Sequence, residues 1–274
     1  MSGYLQYYGL KEAPFTITPN PRFLYLSAKH REALDHLLYG IRERKGFVQL
    51  TGEVGAGKTT LCRALLEELP PEQYSTALIL NPVLRPDQMM QAIATEFGLN
   101  VRGKDRFQTL QILNFFLLEE MAKGREVVLI IDEAQNLTNE LLEQVRLISN
   151  LETDDRKLIQ IVLMGQPELR DRLNDHSLRQ LRQRITIRYH LRPLRFAEVK
   201  DYIRHRLHVS GANGTPYFSL AAIWRIFKYS NGVPRLVNAV CDKCLLAGFV
   251  TRRPDISFGL AGRAVRELEG DFAT

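Results

Sequence analysis

The sequence predicts an α/β domain built on a largely parallel sheet, followed by a smaller domain made of helices. Three observations carry this expectation. Short apolar runs alternate with helical patterns as far as residue 191. The runs are near-continuous hydrophobics, as strands buried on both faces must be. After Pro193 the strand signals stop.

Taken in order, the segment up to Leu26 carries five prolines or glycines and several aromatics, and reads as an extended, turn-rich strap rather than a helix. From Ser27, an N-cap residue, the positions Ala33, Leu34, Leu37, Leu38 and Ile41 predict an amphipathic helix. Strand-like runs follow at Phe47–Thr51, Thr76–Leu80, Val127–Asp132, Ile159–Met164 and Ile185–Leu191. Helical patterns separate them near Thr59–Leu69, Pro86–Phe97, Phe107–Lys123, Leu137–Leu151 and Leu169–Asn174. Beyond Pro193, Phe196–Ser210, Ser219–Ser230, Val233–Gly248 and Ser257–Glu269 all read as helices. The domains are therefore expected to be 1–191 and 192–274.

The 274 residues are 45% apolar and 25% charged, enough apolar material for a sizeable core. No apolar stretch approaches the roughly 20 residues of a membrane-spanning helix, and the N-terminus lacks a basic start followed by an apolar run. Three cysteines, Cys62, Cys241 and Cys244, are too few for a disulfide framework, so a reducing, cytoplasmic setting is expected. Cys241 and Cys244 form C-x-x-C inside an apolar-periodic helix with no second pair, which reads as buried small hydrophobes. The net charge of +6 permits an acidic partner without demanding one. Arginines and one lysine concentrate between Arg179 and Arg206, with only Glu198 and Asp201 against them.

Two motifs carry chemistry. Gly52-Glu53-Val54-Gly55-Ala56-Gly57-Lys58-Thr59, followed by Thr60, matches G-x-x-x-x-G-K-[ST] between a strand and a helix. Its glycines let the backbone wrap phosphate with N–H groups turned inward, and the following helix offers its positive end to the same anion. Lys58 reaches the β- and γ-phosphates of ATP, and the Thr59 hydroxyl completes a Mg²⁺ shell. A plain glycine turn would need neither Lys nor Thr there. About 75 residues on, an apolar run ends abruptly in Asp132 and Glu133. The C-terminal ends of parallel strands are where open α/β sheets bind ligands. Asp132 is placed to hold the metal, directly or through water, and Glu133 to polarise the attacking water.

With these motifs stand Tyr8-Gly-Leu, Pro14-Phe15, Thr18-Pro-Asn-Pro21-Arg-Phe23, Asp132-Glu-Ala-Gln135, Asn150-Leu-Glu-Thr153, Gly165-Gln-Pro-Glu-Leu169, Gln180-Leu-Arg-Gln-Arg-Ile185 and Gly232-Val-Pro-Arg235-Leu-Val-Asn238. Together they resemble the AAA+ ATPases of the ExeA, or general secretion pathway protein A, family, and in particular the MSHA-pilus biogenesis ATPases. The resemblance spans nearly the whole chain. It implies a five-stranded P-loop core with sheet order 5-1-4-3-2, a helical lid, and an ATP site shared between subunits of a ring or filament, expected to be a hexamer. Gln166 matches sensor 1, where Asn or Thr is usual; the bland alternative is a cap before Pro167. Arg184 matches the arginine finger lent to a neighbour, with Arg179 and Arg182 as alternatives. Arg235 matches sensor 2 on the lid, with Pro234 opening its helix. The strap matches the adenine-side segment, which would set Phe15, Pro19 and Phe23 near the base, although packing against the sheet is the plainer reading.

The function this implies is ATP hydrolysis that assembles or remodels a secretion or type IV pilus system at the inner membrane. The alternative is a DNA-associated regulator of transposition like TnsC and MuB, which the basic charge would suit; a nucleotide-gated scaffold without turnover fits poorly with Glu133. Many ExeA-type proteins continue into a membrane helix and a periplasmic region. This sequence stops at Thr274 with neither, as a short cytoplasmic version or as a fragment.

Overall fold

A computed structural model describes residues 3–18, 20–80, 82, 85–153 and 156–270. The first half of the chain runs α1 (Gly3–Tyr8), α2 (Ala28–Arg42), β1 (Phe47–Gly52), α3 (Lys58–Glu67), β2 (Tyr74–Ile79), α4 (Pro86–Glu96), α5 (Arg106–Ala122) and β3 (Glu126–Ile131). It continues with α6 (Asn139–Ile148), β4 (Ile159–Gly165), α7 (Pro167–Leu173), α8 (Arg179–Arg184) and β5 (Ile185–Leu191). Then come α9 (Phe196–Val209), β6 (Tyr217–Phe218), α10 (Leu220–Ser230), α11 (Pro234–Val250), β7 (Asp255–Ile256) and α12 (Phe258–Glu269). Two compact units result. One holds residues 29–52 and 61–191, the other residues 1–28, 53–60 and 192–274.

The first unit is the sheet. Its order is β2-β3-β4-β1-β5, the expected 5-1-4-3-2, and every pairing is parallel. β1 and β4 are buried along their whole length, and β3 from its second residue on. Each Leu, Ile or Val so enclosed contributes about 1.5–3 kcal/mol, so the strand ends that carry the site are rigidly seated. β5 is an edge strand and alternates buried and exposed positions, as an edge with one open side should. Between β3 and β4, α6 opens at Thr138, whose hydroxyl accepts from the Leu141 N–H.

The second unit is built from α9 to α12, close to the four helices read from the sequence, with Ser219 and Ser257 capping α10 and α12. Two features differ from expectation. Tyr217–Phe218 and Asp255–Ile256 pair as a short parallel ladder, so the unit is not wholly helical. The N-terminal segment begins with a helical turn, α1, rather than extended chain. Tertiary packing forms it: Tyr8 is buried, its hydroxyl donates to the Leu245 carbonyl at 3.1 Å, and the Tyr7 ring meets Phe249 edge-on. The strap's aromatics likewise belong to this unit's core and not to the sheet. Phe15 is 1% exposed and meets Phe218 edge-on, and Phe23 lies under the Arg206 guanidinium. Phe15 is thus committed to packing and does not present a face to a base; Pro19 lies outside the described residues.

Arg206, which the sequence groups with a basic surface, is buried. It donates to the carbonyls of Pro14 and Thr16 and to the Tyr202 hydroxyl, which donates in turn to Asn238. It is the peg that holds the strap. Arg206→Met is expected to destabilise the protein by about 3 kcal/mol, because buried carbonyls lose charge-assisted partners. Urea unfolding followed by circular dichroism measures this; a change under about 0.5 kcal/mol would remove the peg from the account.

Cys241 and Cys244 are fully enclosed within α11, and burial pushes both thiols well above their usual range, the behaviour of small hydrophobes rather than ligands. Among the described residues no helix is long and apolar enough to cross a membrane.

Candidate nucleotide site

The phosphate loop follows β1 directly. Gly55 and Gly57 adopt φ of +78° and +100°, a left-handed backbone that side chains other than glycine's rarely tolerate. Gly55 is needed for a second reason: a Cβ there would stand 2.5 Å from the Cβ of Arg235. The backbone N–H of Arg235 donates to the Gly55 carbonyl at 3.3 Å. The first turn of α11 therefore rests on the loop, and Pro234 occupies the position where its missing N–H costs nothing. Lys58 opens α3 with only 5% exposure, and its ammonium donates to the Glu53 carbonyl at 3.1 Å, which keeps it folded over the loop. Ala56 is buried, and Thr59 and Thr60 are half-buried on the first turn of α3. A glycine-rich wrap, an enclosed lysine and a helix start fit a polyphosphate.

In the sheet unit, Gly52, Ile131 and Gly165 all lie at the C-terminal edge, as parallel register requires. Asp132 follows β3 and is 2% exposed. Its backbone N–H extends the ladder to the Ile79 carbonyl, and its Oδ1 accepts from the Glu133 N–H at 2.9 Å. On α3, burial first and the Asp132 charge second push the Cys62 thiol up to about 12. Among the described residues no three His, Cys, Asp or Glu side chains gather as a metal cage.

Glu133 is held in a way the sequence does not announce. Its backbone is left-handed, φ +52°, which for a non-glycine residue stores strain and breaks the strand sharply. Gln166 Nε2 donates to Glu133 Oε2 at 3.1 Å, and Gln135 Nε2 donates to the same oxygen. Gln135 Oε1 accepts from the Gln166 backbone N–H at 3.0 Å, closing a three-residue loop of hydrogen bonds. Gly165 makes room for this, since a Cβ there would stand 2.8 Å from Gln135 Oε1. Gln166 occupies the N-cap position of α7, yet its side chain makes no capping bond and goes to Glu133 instead. The sequence signals Gln135 only as a polar residue two positions past Glu133 in a tight turn.

Arg184 lies elsewhere. It ends α8 just before β5, whose Ile185 pairs with Phe47 at the N-terminal edge of the sheet. Its Nη1 donates to the Ser149 hydroxyl at 3.0 Å. Arg179 is exposed, while Arg182 turns to Asn174.

Residues 41–173 match the family model for the AAA domain. Over 268 residues, 97% of this chain, the sequence is 46% identical to General secretion pathway protein A of Aeromonas hydrophila. The chain is a member of the AAA ATPase family of general secretion pathway protein A. It spans 49% of that relative's length. The AAA fold is shared with solved structures of lower identity. Aeropyrum pernix ORC2, solved as ADPNP-ADP complexes, is 18% identical with a TM-score of 0.67, covering 94% of this chain and 72% of that one. Drosophila ORC bound to DNA has the same identity and score, over 93% of this chain and 64% of that one. The Holliday junction branch migration motor RuvB of Thermotoga maritima is 22% identical with a TM-score of 0.57, over 87% and 68%. These likenesses concern the AAA fold alone.

Proposed function

We propose that this AAA protein hydrolyses ATP with Mg²⁺, and that turnover assembles or remodels a secretion or type IV pilus complex at the inner membrane. The observation that carries the hydrolytic reading is the fixed carboxylate of Glu133. Two amides donate to its Oε2, while among the described residues nothing donates to Oε1. An oriented carboxylate with one oxygen to spare is what positioning and polarising a water requires.

The other roles follow from type and place. The backbone of Gly52, Glu53, Val54, Gly55, Ala56 and Gly57 with Lys58, Thr59 and Thr60 binds the phosphates, and Lys58 carries the charge. Thr59 and Asp132 are the residues that would hold Mg²⁺, and the ion would supply positive charge to offset that of the phosphates. Arg235, seated on the phosphate loop, reports the nucleotide to residues 192–274, which act as the lid. Gln166 senses the γ-phosphate through the same amide that holds Glu133. The secretion assignment is supported by the 46% identity to General secretion pathway protein A, and the inner-membrane location comes from the same kinship. The DNA-associated alternative is weaker, because Arg206 is buried under the strap and Arg184 is bonded to Ser149, which removes two cations from a DNA-facing surface.

Glu133→Gln is expected to bind ATP like the parent protein and to hydrolyse it ~10²-fold more slowly, the usual cost of losing a general base. Fluorescent-nucleotide titration and phosphate release measure the two quantities. Near-parental turnover would reduce Glu133 to a strand-end residue.

A further inference from the structure

Beside β1 and β5 the sheet unit encloses a concavity of about 220 Å³ that shares no residue with the phosphate loop, Asp132 or Glu133. Its polar lining includes Gln49 from β1, Arg170 and Asn174 from α7, Arg182 from α8, and Arg188 and His190 from β5. Among the described residues no carboxylate lines it. Register puts Gln49 level with Arg188, so both belong to one face of the sheet.

The charge there is left uncompensated. Neither Arg182 nor Arg188 forms an ion pair with a described residue, and Arg170 has only a long contact of 3.7 Å to the exposed Asp171. Arg188 Nη2 donates to the Arg182 carbonyl at 2.6 Å and Arg182 Nη1 to Asn174 Oδ1 at 3.4 Å. These bonds fix two guanidinium groups and leave most of their N–H donors for a ligand. Gln49 is the second observation. It is 4% exposed in a strand of hydrophobic residues and lines the concavity. An amide bordering the concavity offers an entering ligand a neutral hydrogen-bond donor beside the guanidinium groups.

We propose that this concavity binds a compact phosphate-class anion, with Arg182 and Arg188 as forked cationic donors and Gln49 as the neutral donor at its floor. Paired guanidinium groups match phosphate oxygens bidentately. The volume lies below the roughly 300–1,000 Å³ of pockets that enclose drug-sized molecules, which selects phosphate, pyrophosphate or a small phosphomonoester over a whole nucleotide. The backbone of duplex DNA would lie across the rim and would not enter the concavity that Gln49 lines.

The test uses pyrophosphate as probe and the full chain carrying Lys58→Ala, which weakens the phosphate loop as a competing site. Isothermal titration calorimetry at low ionic strength is expected to show one pyrophosphate per chain. Arg182→Ala and Arg188→Ala are each expected to weaken it about tenfold or more, the worth of a charge-assisted pair. Arg102→Ala, an exposed arginine outside the concavity, is expected to leave it unchanged. The proposal is overturned if pyrophosphate does not bind, if the pocket substitutions leave binding intact, or if Arg102→Ala weakens it equally. It is also overturned if Arg182→Ala and Arg188→Ala lose affinity for duplex DNA and none for pyrophosphate.

Discussion

Lys58→Ala is expected to bind ATP ~10²-fold more weakly and to hydrolyse it ~10³-fold more slowly than the parent protein. Lys58 is 5% exposed, and its ammonium reaches the Glu53 carbonyl of its own loop. The glycine-rich wrap and the start of α3 place that ammonium where phosphate oxygens would lie. Its charge in a phosphate-loop position suits a ligand better than it suits packing. Its removal takes away a cation that bonds phosphate oxygens in the ground state and stabilises further charge as the terminal phosphoryl departs. The fold should survive, because the loop's shape comes from Gly55, Gly57 and the seat of Arg235. Unchanged thermal unfolding together with lost nucleotide fluorescence enhancement is the expected pair of results. Near-normal affinity would show that the phosphate site has been misplaced.

What could be read from the sequence divides along a physical line. The phosphate loop and the Asp132 strand end are local chemistry: residue types at short spacing dictate backbone shape and charge, so they are visible before any fold is known. The sheet was equally legible, because strands enclosed on both faces must be continuous hydrophobics. What escaped depends on distant parts of the chain. Helix α1 forms because Tyr8 finds the Leu245 carbonyl 237 positions away, not because Gly3–Tyr8 favours a helix. Gln135 matters because Gly165 lets it approach and Gln166 closes the loop of bonds. Gln49 carries a faint signal, a polar residue inside β1, yet only the sheet register sets it level with Arg188. The arginine run from 179 to 206 looks uniform as a string, and folding sends Arg184 to Ser149, Arg182 to Asn174 and Arg206 into a core.

That dispersal makes Arg184 the more demanding prediction. Gly52, where the phosphate loop begins, pairs with Leu191 at one edge of the sheet, whereas Ile185, next to Arg184, pairs with Phe47 at the other. Six residues of strand at about 3.3 Å each separate the edges by roughly 20 Å, far beyond a side chain's reach. If Arg184 acts on a γ-phosphate, that phosphate belongs to a second copy of the chain. Activity is then expected to rise faster than linearly with protein concentration, and ATP to promote assembly. Arg184→Ala should bind ATP with parental affinity and lose ~10³-fold in turnover, the scale of an arginine finger. Its bond to Ser149 offers a rival explanation, namely that the guanidinium merely ties α8 to the end of α6. Mixing separates the two. Lys58→Ala and Arg184→Ala proteins, each nearly inactive alone, are combined, and native mass spectrometry confirms mixed assemblies. An Arg184→Ala subunit keeps an intact phosphate loop, and a Lys58→Ala neighbour keeps an intact finger, so the shared interface regains activity. A structural tie within one chain predicts no recovery, since each subunit would retain its own defect whatever stands beside it.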